Sequence, residues 1–250
     1  MQVNTQIKRT MAGLLLIVLS LAVKAQSKFY DTMAVLIIDR MTDAIGGMES
    51  CSFRLNVAED VYDPSTGWAK RFTDYEAYLS GPSRMLINAK GYKGHRKLWY
   101  NGKELAYYFF DENNYGIIQM QGTTMNMIDS MHTLYDIEFP AADFFYPAFT
   151  IDLFENADTI MYLGIAKILN EEYFQILAKN DEKTFQFWIS TDGNPLPAKF
   201  AITYNQKKGS PQYIASFSDW RMNPHLSKSM FSFLPPPGSS RVKMVPKNEP

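Results

Sequence analysis

The sequence predicts a mainly β fold of the α+β class, built on an antiparallel up-and-down sheet that curves into a barrel or half-barrel. Three observations carry this. Runs of alternating apolar and polar residues recur along most of the chain, the two-residue period of strands with two distinct faces. Explicit turn chemistry separates these runs at short intervals, so successive strands pair with their sequence neighbours. Only a few stretches switch to the three- and four-residue spacing of an amphipathic helix. The 250 residues, 46% hydrophobic and 14% aromatic, suffice for one domain with a sizeable core, and no internal repeat or Gly- or Ser-rich linker divides them.

The first 25 residues read as a leader. Lys8 and Arg9 precede an apolar run from Met11 to Val23, and Val23 and Ala25 supply small residues at positions −3 and −1 of a cleavage site. This is the pattern of a secretory signal peptide cut after Ala25. The apolar run falls short of the ~20 residues of a spanning helix, so residues 1–25 are expected to be removed, leaving one domain at 26–245 and no stable membrane span. No cysteine stands at the cut, which argues against lipid anchoring. The expected location is periplasmic, secreted and soluble. Cys51 is the single cysteine, so no intramolecular disulfide forms and the exported chain is held by burial and sheet pairing. Three of the 25 basic residues and none of the 26 acidic ones lie in the leader, giving the mature chain a net charge of −4. That argues against nucleic acid, which needs a concentrated basic surface, and weakly against tight binding to anionic membranes.

Taken in order, Tyr30, Met33, Ala34, Ile37, Met41, Ala44 and Ile45 form one apolar stripe of a helix ended by Gly46-Gly47. Phe53, Leu55 and Val57 alternate with polar residues in a first strand that starts near Cys51, itself read as a small core residue. After a loop at 63–67, strands follow at 72–80 and 84–89, joined by Gly81-Pro82. Strands at 97–100 and 105–110 flank Asn101-Gly102, a hairpin signal, and another runs over 115–120. Met127, Ile128, Met131, Leu134 and Tyr135 then mark a second helix, with Thr124 as its expected cap. An apolar, aromatic stretch at 139–147 reads as a loop or short helix pair. Strands resume at 159–168 and 173–178. Residues 183–224 give three consecutive strands, turned at Asp192-Gly193-Asn194-Pro195 and at Lys207-Lys208-Gly209-Ser210-Pro211. Met230 to Phe233 reads as a short last strand. The tail beyond Pro235-Pro236-Pro237-Gly238 is expected to fray.

The same residues carry a family resemblance. An aromatic strand ending FWI, an acidic-Gly turn, PLPAKFAITY, a Gly-Pro turn and SDWRMNP resemble an uncharacterised family of predicted periplasmic proteins, related in fold to the outer-membrane lipoprotein carriers LolA and LolB of the Gram-negative envelope. The likeness extends through AVLIIDRMTDAIGGMES, FTDYEAYLSGPSRMLINAKG, LWYNGKELAYYFFDENNYGII, MNMIDSMHTLYDIEFPAADFF and MFSFLPPPGSSRV, nearly the whole mature chain. It implies an incomplete barrel whose concave face is covered by two or three helices. In the carriers, the space so enclosed holds acyl chains.

Catalytic motifs are missing. His95, His132 and His225 lie in different elements without ligand-spaced neighbours, so no metal is expected. There is no Gly-x-Ser-x-Gly elbow, phosphate loop or dinucleotide fingerprint. Cys51 lacks a neighbouring base or an electropositive setting. The carboxylate pairs Glu171-Glu172 and Asp111-Glu112 sit at turns as solvated charges, and Asp219-Trp220 reads as a strand-end hydrogen-bonding group beside a packing ring. No nucleophile–base constellation can be assembled. The expectation is a non-enzyme without cofactor.

What remains is collective apolar surface. Met33, Ile37, Met41, Phe53, Leu55, Tyr75, Met85, Ile87, Tyr107, Phe109, Met127, Met131, Phe187, Phe200 and Ile202 are the candidate lining of a hydrophobic cavity between sheet and helices, methionines being able to repack around a ligand. The expected partner is a lipid or the acyl chain of a lipoprotein, bound for carriage. The alternatives are an envelope interaction or sensing module that docks a protein partner on a sheet edge or on the loop at 139–149, and an enzyme acting on lipid or glycan.

Overall fold

The computed structural model describes residues 28–247, and the predicted leader lies outside them. Thirteen strands form one sheet: β1 (Phe29–Tyr30), β2 (Ser50–Asp63), β3 (Gly67–Ser80), β4 (Arg84–Gly91), β5 (Gly94–Tyr100), β6 (Glu104–Phe109), β7 (Asn114–Gln119), β8 (Thr159–Ile168), β9 (Glu171–Lys179), β10 (Lys183–Ser190), β11 (Pro197–Tyr204), β12 (Gln212–Met222) and β13 (Ser240–Arg241). Their spatial order is β1-β8-β9-β10-β11-β12-β2-β3-β4-β5-β6-β7-β13. Two antiparallel meanders, β2–β7 and β8–β12, are thus joined where β12 pairs with β2. The two-residue edge strands β1 and β13 add in parallel. The sheet curls without closing, the half-barrel that the resemblance implies.

Local chemistry bends it. The register shifts between Tyr162 and Gly164 in β8, between Trp188 and Ile189 in β10, and between Ser218 and Arg221 in β12. Such bulges kink a strand and raise its twist. At the last, Asp219 takes a left-handed φ of 54° and pairs with Arg54 at 3.2 Å. Its neighbour Trp220 stacks on Phe217 and packs tilted against Phe53 while its indole N–H donates to the Pro197 carbonyl at 3.0 Å.

Among the described residues, three α-helices cover the concave face. Asp31 caps α1 (Thr32–Gly46) by accepting from the Met33 amide. Its buried line is Ala34, Ile37, Ile38, Met41 and Ile45, each large side chain contributing roughly 1.5–3 kcal/mol. Helix α2 (Thr124–Tyr135) starts one residue away from the expected cap: Thr123 and Asn126 form a reciprocal capping box, which frees Thr124 to enter the helix buried. The stretch expected as a loop or short helix pair is a 3-10 turn, Ala142–Phe145, followed by α3 (Phe149–Asn156).

The hydrophobic interior is two clusters. The larger lies beneath α1, the 3-10 turn and α3, on β2 and the β8–β12 meander. The smaller joins α2 to β4, β5 and β6 through Met85, Leu98, Tyr100, Leu105, Met127, Ile128 and Met131.

The C-terminal stretch departs from expectation. Residues 228–231 form a 3-10 turn instead of a strand, because Phe231 is buried and Phe233 packs on Trp99, Tyr108 and Tyr115 of the convex face; rings buried this way leave no ladder to join. The tail does not fray up to residue 247. Ser240 and Val242 amides bond to Asn113 and Tyr115 carbonyls, and the Lys247 amide bonds to the Leu134 carbonyl. Met244 lies so close over Gly116 that a Cβ there would meet its Cγ at 2.3 Å. The tail therefore covers the open edge of β7, which would otherwise present unpaired backbone groups.

Candidate functional site

A cavity of about 1090 Å³ lies between the two cores, at the upper end of the ~300–1,000 Å³ usual for ligand sites. Its floor is the concave face of the sheet: Val57, Tyr75, Ile87, Ala89, Arg96, Leu98, Tyr107, Phe185, Phe200, Ile202 and Tyr213. Its roof is the end of α2, the 136–141 connection, the 3-10 turn and α3, contributing Ile128, Ile137, Phe139, Tyr146, Phe149 and Leu153. Strand alternation explains the floor. Ile87 and Ala89, and Arg96 and Leu98, are two apart, and the pairs Tyr75–Ala89 and Ala89–Arg96 place one row across β3, β4 and β5.

The roof is anchored at both ends. Met127 and Met131 fix α2 in the smaller core. Phe144 fixes the 3-10 turn in the larger, ringed by Phe149, Phe187, Phe200 and Phe217 at 5.1–6.0 Å. The Tyr146 hydroxyl donates to Asp129 at 2.6 Å and ties the two ends together. Phe144 is thus a core ring, and the 139–149 stretch does not present it as a docking surface.

Charges gather where the β9–β10 and β4–β5 hairpins meet the roof: Lys93, Asp136, Glu138, Asp143, Asp152, Glu182 and Lys183 all border the cavity. Burial pushes the Asp143 carboxyl up, and nearby Glu138 and Asp152 add to the rise against Lys183. Solvent still reaches Asp143, as it can on the wall of a concavity that encloses a side chain without sealing it.

Two tyrosines, Tyr75 and Tyr107, stand near an arginine, Arg96. Burial pushes the Tyr75 hydroxyl up to about 12, with Arg96 pulling the other way. The Tyr107 hydroxyl is raised by burial too, again opposed by the Arg96 charge and its hydrogen bond. Burial raises Tyr213 furthest, with Tyr75 and Glu59 adding to the rise. Glu59 accepts from the Tyr92 hydroxyl at 2.9 Å. The Tyr213 hydroxyl and the Arg96 Nε have no hydrogen-bond partner.

Of the fifteen residues expected to line the space, Tyr75, Ile87, Tyr107, Phe200 and Ile202 do so. Ile37, Met41, Phe53, Leu55 and Phe187 are packed into the larger core, and Met85, Met127 and Met131 into the smaller. Phe109 lies beyond the cavity, its ring 4.7 Å from that of Tyr107. Met33 is half-exposed, because it sits about a quarter turn from the centre of the buried face of α1. Sequence reasoning missed Arg96 and Tyr213, and the roof residues Ile137 and Phe139. Arg96 had a signal: it is in phase with Leu98 and Tyr100, a charge on the inward face of its strand.

No group of three or more metal-ligating side chains exists among the described residues. His95 lies on the convex side, stacked on Phe110 with ring centroids 3.7 Å apart and 2.8 Å from Asn88 Oδ1. Cys51 is buried in the larger core, its thiol pushed up to about 12 by burial. His132 borders the cavity from α2, and His225 is exposed.

Residues 34–245 match a family described as predicted periplasmic protein (DUF2092). The chain belongs to this family. The periplasmic location expected from the sequence is the one the DUF2092 family carries. No helix among the described residues is long and apolar enough to cross a membrane. No curated protein sequence matches this DUF2092 member. Among solved structures, it is similar to an uncharacterized conserved protein from Thermus thermophilus, with 11% identity, 85% of this chain and 99% of that one covered, and a TM-score of 0.47. It is also similar to the Mycobacterium tuberculosis lipoprotein LppX (13%, 79% and 98%, 0.42) and to a LolA superfamily protein from Nitrosomonas europaea (12%, 80% and 97%, 0.34).

Proposed function

We propose that the mature protein, released by cleavage after Ala25, is a non-catalytic periplasmic binder of a lipid or acylated ligand, which it holds in the cavity between sheet and roof. The observation that carries this is the position of the cavity. Two cores pack to completion on either side of it, yet the space between them is floored by Ile87, Leu98, Phe185, Phe200 and Ile202 and roofed by Ile137, Phe139 and Phe149. Apolar walls in an open concavity gain by covering with an apolar ligand, roughly 25 cal/mol per Å² removed from water. The polar border lets one end of such a ligand stay solvated.

Native mass spectrometry on protein purified gently from the periplasm, followed by organic extraction, tests this. The expected result is a mass excess matching a lipid or acylated peptide. In parallel, the neutral probe N-phenyl-1-naphthylamine should enter the wild-type protein, and Ile202→Trp, which fills the floor with a larger ring, should reduce its uptake at least fivefold. A clean apo mass together with no probe uptake by the folded wild type would overturn the reading.

A further inference from the structure

We propose that Arg96, with the hydroxyls of Tyr75, Tyr107 and Tyr213, is a recognition site for an anionic head group, so that the cavity selects amphiphiles carrying a carboxylate or phosphate. This rests on the ligand reading above and specifies the chemical class of its occupant.

The argument starts from what Arg96 lacks. It stands on the inward face of β5, across from Ala89 of β4 and Phe109 of β6, and on the cavity wall. Its Nε is buried without a hydrogen-bond partner, and the ion pairs found among the described residues do not include it. Native proteins pair such groups, because a buried donor left unmade forfeits its hydration. Glu59, the carboxylate that acts on Tyr75 and Tyr213, accepts a hydrogen bond from Tyr92. A guanidinium presents a planar fork of donors that fits a carboxylate or phosphate.

The surroundings repeat the message. The Tyr213 hydroxyl is also unpartnered, and Tyr75 and Tyr107 are close enough to feel the Arg96 charge. All three phenols are protonated at neutral pH, so each carries an O–H donor. The small Ala89 side chain shares a row with Tyr75 and Arg96 on the cavity wall. The acidic groups Asp136, Glu138, Asp143 and Asp152 belong to the roof side of the same cavity. Glu59 and Glu138 act on the Tyr213 side, so an anionic head is drawn toward the Arg96, Tyr75 and Tyr107 end of the site, with its tail along Ile87, Phe200 and Ile202.

The test is displacement of N-phenyl-1-naphthylamine from the full mature protein by three sixteen-carbon competitors: palmitate, hexadecyl phosphate and hexadecanol. In the wild type, at least one anionic competitor should bind ten times or more tighter than hexadecanol, and the tighter of the two identifies the head. Arg96→Met should weaken the anionic competitors roughly ten- to a hundredfold, the range of charge-assisted hydrogen bonds, and leave hexadecanol within twofold. Arg96→Lys should retain part of the anionic preference, and Tyr107→Phe should lose a smaller part. Circular dichroism and probe uptake confirm that each variant is folded. Equal binding of all three competitors by the wild type overturns the head-group site and leaves the cavity reading standing. So does an Arg96→Met variant that keeps the anionic preference. Failure of the wild type to take up the probe or any competitor overturns both.

Discussion

Replacing Phe144 by Ala removes the ring that joins the roof to the larger core. Phe144 is 3% exposed and touches four other rings, those of Phe149, Phe187, Phe200 and Phe217. A buried Phe→Ala change costs about 3–5 kcal/mol in transfer and cavity terms, and lost ring pairs place this site toward the upper part of that range. Domains are stable by only ~5–15 kcal/mol, so the variant should fold with a much reduced margin. Equilibrium urea unfolding followed by tryptophan fluorescence measures it. At an m-value of ~2–3 kcal/mol/M, the midpoint should fall by roughly 1–2.5 M. Phe144→Leu, which keeps most of the volume, should lose under ~1.5 kcal/mol. Because Ala142 and Asp143 of the same turn line the cavity, the Ala variant should also take up less apolar probe while the Leu variant keeps it. A loss below ~1 kcal/mol for Phe144→Ala would show that the turn is not seated in the core and would refute the anchored roof.

Three further outcomes follow from particular contacts. Gly91→Ala should destabilise by about 1–3 kcal/mol, since its Cβ would meet the Phe72 carbonyl at 2.6 Å and the Thr73 Cα at 2.7 Å; an unchanged melting temperature would contradict that close approach of β3 to β4. Asp143→Asn should stabilise the protein at pH 7 and do little near pH 3. The folded-state carboxyl titrates above its ordinary value of 3.8, so the folded state holds the proton more tightly, and the carboxylate's cost grows as pH rises through that window. Unfolding curves at the two pH values check the sign, and equal effects at both would contradict it. Cys51 should resist iodoacetamide at pH 8 in the native state and react fully in 8 M urea, because thiolate is the nucleophile and burial holds the thiol up to about 12; rapid native labelling, followed by mass spectrometry, would sink that account.

Alternation and turn residues made the sheet legible. The strand at 159–168 is recovered residue for residue, and Asp192 to Pro195 and Lys207 to Pro211 turn the chain where expected. Other strands, such as β2 and β3, extend beyond their apolar runs. Their hairpin continues through Asp60 and Lys70, an ion pair at 2.8 Å, and pairing through polar residues leaves no hydrophobic period to read. The C-terminal segment escaped for a related reason: what orders Ser240 to Lys247 is a free edge on β7 and the bare surface of Gly116, both distant in sequence. The candidate site was legible only as a surplus of inward apolar residues. Period-2 logic finds the face of a strand but not whether that face meets a helix or a void. Phe187 and Ile202 share that logic, yet Phe187 lies under the Phe144 ring and Ile202 borders the cavity.

The void persists because closing it would cost more than it returns. Its floor is a continuous ladder from β10 to β5, which cannot rise without breaking backbone hydrogen bonds. Its roof is pinned by Phe144 at one end and Met131 at the other, and the 136–141 connection between them is flanked by left-handed residues, Asp136 at φ 57° and Ala141 at φ 62°. The Arg96 Nε and the Tyr213 hydroxyl are already out of water and unpartnered, a penalty of roughly 1–3 kcal/mol for a neutral group and more for a charge. These groups are therefore the ones that most need an occupant. An apolar chain alone would cover the walls and leave that need unmet; an amphiphile with an anionic head would satisfy both.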